Sequence, residues 1–65
     1  MAKTIEQARA AIKVVINETI ARIKEAQQER KDAYTSEDAH IATAIEREMI
    51  SVKIRLESLR KSLKD

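Results

Sequence analysis

The sequence predicts an all-α fold, a two-helix antiparallel hairpin that associates into a dimeric four-helix bundle, and three observations predict it. The 65 residues include no Gly and no Pro. The positive-φ positions on which tight β-hairpins depend are therefore missing, while the abundant Ala, Ile, Lys, Arg, Glu and Gln are mostly compatible with helix. From Ala42 to Leu63 the apolar residues fall at Ala42, Ile45, Met49, Val52, Leu56, Leu59 and Leu63, an unbroken a/d heptad pattern that buries one seam against other helices. The chain also has room for only one small domain, spanning 1–65. Below roughly 70–80 residues a single core seldom suffices without a staple or a second subunit. There is no Cys to supply a disulfide or a Cys-type zinc site, so self-association is the expected remedy.

The first helix is expected over 5–33, after a frayed Met1–Lys3. Thr4 and Gln7 have capping-box spacing, in which hydroxyl and amide side chains satisfy each other's backbone donors. The apolar positions that follow include Ile5, Ala8, Ile12, Val15, Ile16, Thr19, Ile20, Ile23 and Ala26. They sweep an arc of about 140°, wider than a strict a/d stripe, so this helix should touch more than one neighbour. Ile5, Ile12, Ile16 and Ile23 are its seam residues. Arg30 interrupts the seam and Arg9 lies at its edge.

A turn is expected at about 34–36. The best heptad of the first helix (Ile12, Ile16, Thr19, Ile23, Ala26, Arg30, Ala33) would continue through Glu37, His40, Ala44 and Arg47. The seam of the second helix instead passes through 42, 45 and 49, a phase shift that neither a four-residue stutter nor a three-residue stammer supplies. Thr35 and Asp38 again have capping-box spacing, with Ser36 as a competing cap. Glu37 and Asp38 suit the positive end of a new helix, and Tyr34 could staple onto Ala39. A turn this short makes the two helices antiparallel neighbours.

The second helix, expected over 37–63, carries Ile45, Met49, Val52, Leu56, Leu59 and Leu63 as its part of the seam. A parallel self-dimer would pair Glu48 with Lys53 but oppose Arg55 to Arg60, which favours an antiparallel bundle. Ile50 and Ile54 lie on the far side of the helix, where a single seam leaves them in water; they are the candidate partner contact.

Chemistry at a reactive site finds little support. Glu37-x-x-His40 has the spacing used in carboxylate-bridged di-metal bundles. It sits in a first turn, however, and an antiparallel dimer separates the two copies, so no metal and no cofactor are expected. With one His, no Cys and no Gly-rich phosphate loop, no catalytic residue and no small-molecule substrate are expected either. No run of apolar residues approaches a membrane span or a signal-peptide core. A cytoplasmic protein is therefore the expectation.

Charge is more telling by position than in total. Residues 1–16 and 52–65, which a hairpin brings to one end, hold eight basic and three acidic side chains, whereas residues 17–51 hold five basic and eight acidic. Lys53, Arg55, Arg60 and Lys61 are the candidate anion contacts at that open end. In outline, two antiparallel helices pairing into a four-helix bundle resemble the small plasmid-copy-number RNA-binding bundle proteins of bacteria. The likeness is one of architecture, shares no motif and implies no function. The expected function is that of a non-enzymatic helical interaction protein (a regulator, adaptor or inhibitor) acting through protein–protein contacts of a homodimer or with a helical protein partner. The alternative is a nucleic-acid-binding bundle that uses the basic open end.

Overall fold

A computed structural model describes residues 2–63, with side chains from Thr4 onward. Two helices, α1 (Ala2–Asp32) and α2 (Ser36–Ser62), pack against each other as a hairpin. The molecule is a slender rod, 52 × 14 × 10 Å along its principal axes.

α1 begins before the expected cap: Thr4 lies inside its first turn, because Ala2 and Lys3 are themselves good helix formers. The behaviour expected of Met1 lies outside the described residues. At the other end α1 stops at Asp32, and Ala33–Thr35 make the turn without any positive φ among the described residues. Thr35 is the N-cap of α2, its backbone extended and its Oγ1 accepting from the Asp38 amide at 3.1 Å. That bond satisfies one of the four orphan donors of the new helix, and Glu37 and Asp38 add charge of the favourable sign. The staple of Tyr34 onto Ala39 does not form; Tyr34 is wholly exposed. α2 ends at Ser62, with Leu63 as C-cap and its amide donating to the Arg60 carbonyl.

Burial follows one line on α1. Ile16, Thr19, Ile23 and Ala26 are buried, and Ile5, Ala8, Ile12 and Ala33 are half-buried. Thr19 is tolerated there because its hydroxyl donates to the Val15 carbonyl at 2.7 Å, leaving no buried donor without an acceptor.

On α2 the line against α1 takes the a row of the seam and adds the e row. The residues turned towards α1 are Ala42, Glu46, Met49, Lys53, Leu56, Arg60 and Leu63, all buried or half-buried. These are the a and e rows. Of the d row, Ile45 and Val52 are half-buried and Leu59 is 50% exposed. The cause lies near the turn. Ala26 and Ala42, fully buried and nearly so, have no side chain beyond Cβ and let the backbones approach. One turn after Ala42, Glu46 is held towards α1 by Gln27 and Arg30, which turns the d row to the flank of the hairpin.

Candidate functional site

Glu46 is the most constrained polar residue of the hairpin. It is 7% exposed, and both of its oxygens are engaged by α1: Oε1 accepts from Arg30 at 2.6 Å and Oε2 from Gln27 at 2.9 Å. A carboxylate is kept in a contact this dry only when it is paired and hydrogen-bonded. Arg30, the apparent flaw in the seam of α1, is thus the partner that Glu46 requires. Nothing in the heptad pattern of α2 singles out an e-position Glu. The signal was Arg30 in the opposite seam, which asks for an acid across the interface.

The two flanks of the rod differ in chemistry. Along one flank, helical phase lines up Ile41, Ile45, Val52 and Leu59 of α2 beside Val15 of α1. Ile41, Leu59 and Val15 are 53%, 50% and 43% exposed. The same flank carries Glu18, Glu25 and Glu29 on α1. Glu25 and Glu29 are held by Arg22, at 3.1 and 2.8 Å. The hydrogen bond and charge of Glu29, then those of Glu25, raise the Arg22 guanidinium above its ordinary value. At the turn this flank has a shallow hollow in which Glu29, Asp32 and Asp38 surround Ile41 and Ala42.

The opposite flank has a groove of about 640 Å³ between the first half of α1 and the last half of α2. Ile16 and Ile54 form its apolar floor, and Arg9 and Lys13 on one rim face Arg60 and Lys61 on the other. Asn17 and Ser58 add neutral polar groups. The acid in the groove, Glu57, is partnered by Lys53 at 3.4 Å. Among the described residues, none of Arg9, Lys13, Arg60 and Lys61 makes an ion pair, whereas Arg22, Arg30 and Lys53 each hold a carboxylate. The Arg60 Nε is also hidden from solvent without an acceptor.

The structure thus gathers some of the expected contact residues and separates others. Ile54 lies in the groove with Arg60 and Lys61, and Ile50, 39% exposed, is one turn away on the same flank. Lys53 is half-buried and paired with Glu57 rather than lining the groove, and Arg55 does not line it either. Arg9 and Lys13 had not been singled out, because the pairing of α1 with α2 is invisible in either helix alone. Their signal was the recurrence of Lys13, Lys24 and Lys31 at nearly one azimuth of α1. His40 is exposed, and among the described residues no group of three or more His, Cys, Asp or Glu is placed to hold a metal ion. No described helix is long and apolar enough to cross a membrane. No known protein family, curated protein or solved structure matches this chain.

Proposed function

We propose that the hairpin pairs with a second copy through the flank of Ile41, Ile45, Val52 and Leu59, and that the resulting four-helix bundle is a non-enzymatic interaction protein. In this reading it regulates, adapts or inhibits by occupying a partner's surface with the flank of Ile50 and Ile54. The observation that carries the proposal is the small number of apolar side chains the hairpin buries by itself: Ile16, Ile23, Ala26 and Ala42. Leaving Ile41 and Leu59 half in water forfeits roughly 1 kcal/mol each, about half of what full burial contributes. An isologous dimer recovers this on both copies at once. A cysteine-free chain needs no oxidising compartment, and a cytoplasmic setting is part of the same proposal.

Light scattering across a concentration series tests it. The expected mass is twice the 7.4 kDa of one chain, falling towards one chain on dilution. A single-chain mass at every concentration overturns the dimer. The nucleic-acid reading draws support from the four cations of the groove, and retention of RNA or DNA that weakens steeply with salt would favour it.

A further inference from the structure

We propose that the basic groove seats an acidic amphipathic helix of a partner protein, laid along the cleft between α1 and α2. The proposal rests on the interaction reading above and states what the partner must look like. Three features of the groove lead to it.

The floor is apolar and the rims are cationic. An occupant must therefore present a narrow apolar stripe to Ile16 and Ile54, with carboxylates on both sides of it for Arg9 and Lys13 and for Arg60 and Lys61. A helix with apolar residues at i, i+3 or i+4, and i+7, bordered by Asp and Glu, has that shape. Ile20 and Ile50 extend the floor by one turn on their respective helices. From Arg9 to Ile20 the cleft runs about 16 Å, enough for a helix of about 12 residues.

Among the described residues the charge of the groove is not met. Its own acid, Glu57, is held by Lys53, while Glu25, Glu29 and Glu46 elsewhere are held by Arg22 and Arg30. The four groove cations lack such partners among the described residues. Charge complementarity thus points to carboxylates from another molecule, and the acid-bordered apolar flank of a second copy, that of Ile41 and Ile45, is already taken up by the proposed dimer.

A nucleic acid fits less well. A phosphate backbone has nothing to place on isoleucines, and the one aromatic, Tyr34, is at the far end of the rod, where it cannot stack on a base bound in the groove. A third helix would use the floor and both rims together.

The test is fluorescence anisotropy with a labelled synthetic helix of about 16 residues, Leu at i, i+3 and i+7 and Glu on either side, against the full chain at two salt concentrations. Three probes accompany it: a scrambled peptide of equal composition, its Lys-for-Glu counterpart, and a short RNA duplex. The expected result is saturable binding of the acidic helix, at least about tenfold weaker for the scrambled peptide and for RNA. Lys13→Glu with Lys61→Glu should weaken it by a similar factor at unchanged helix content, and the Lys-for-Glu peptide should bind that variant instead. Equal binding of the scrambled peptide, preference for RNA, or indifference to the double substitution each overturns the proposal. Its failure is distinguishable from that of the bundle reading. A chain of doubled mass that ignores the acidic helix refutes the groove and leaves the dimer. A single-chain species that binds it does the reverse.

Discussion

Between Glu46 and Arg30 the distribution of solvent is uneven, and this decides what each contributes. The Glu46 side chain is 9% exposed and that of Arg30 43%. Removing the arginine leaves a carboxylate in a dry contact with only Gln27 to bond it; removing the glutamate returns a guanidinium to water. Arg30→Ala should therefore destabilise more, by about 3 kcal/mol, than Glu46→Ala, at about 1 kcal/mol. Thermal melts by circular dichroism on the two variants check the order, and a larger loss for Glu46→Ala would contradict it. At the turn, Thr35→Ala should cost about 1 kcal/mol by orphaning the Asp38 amide, again read from the melt. The Arg22 pair adds no pH dependence near neutrality. Its raised guanidinium contributes fully below the ordinary arginine range and loses that contribution only above it.

At the scale of a helix, α2 is an element with three apolar rows, of which one neighbour can cover only part. α1 meets the a and e rows, and the two remaining rows look to opposite flanks. Different substitutions should therefore separate two behaviours. Ile41→Lys with Leu59→Lys should abolish the doubled mass in light scattering and, with pairing lost, lower the melting temperature and its dependence on concentration. Ile50→Lys with Ile54→Lys should leave the mass unchanged and remove binding to a partner. Of the fold, the two helices, their antiparallel packing and the cap at Thr35 were legible, because heptad phase and capping spacing are local signals. That the e row of Glu46, Lys53 and Arg60 would face α1 was not. An a/d seam fits a two-neighbour environment equally well in several rotations, and the choice here was made by Ala26, Ala42 and the Glu46 clasp acting across the hairpin. For the same reason the groove was half legible: Arg60, Lys61 and Ile54 share one helix, but Arg9 and Lys13 join them only once α1 lies alongside.

The whole molecule is a rod polarised in two directions. Its open end is basic and its turn end acidic, as the residue order implies, and its two flanks also differ, the groove side carrying Arg9, Lys13 and Lys61 and the other Glu18, Glu25 and Glu29. In the proposed dimer an antiparallel pair of rods would set each basic end beside an acidic one, so charge would favour that orientation even where the apolar rows allow both. The melting temperature should accordingly rise with protein concentration, and the rise should shrink at high salt. Scanning calorimetry over about a hundredfold concentration range checks this, since RT ln of that ratio is roughly 2.7 kcal/mol. A concentration-independent transition would mean that folding is complete within one chain.

Tyr34 stands fully solvated at the tip of the hairpin, the one tyrosine of a chain without Trp or Phe. Its emission is blind to the interior of its own hairpin. Another body arriving at the apex should therefore change its yield. The molecule carries a built-in optical beacon, placed where company can dim it.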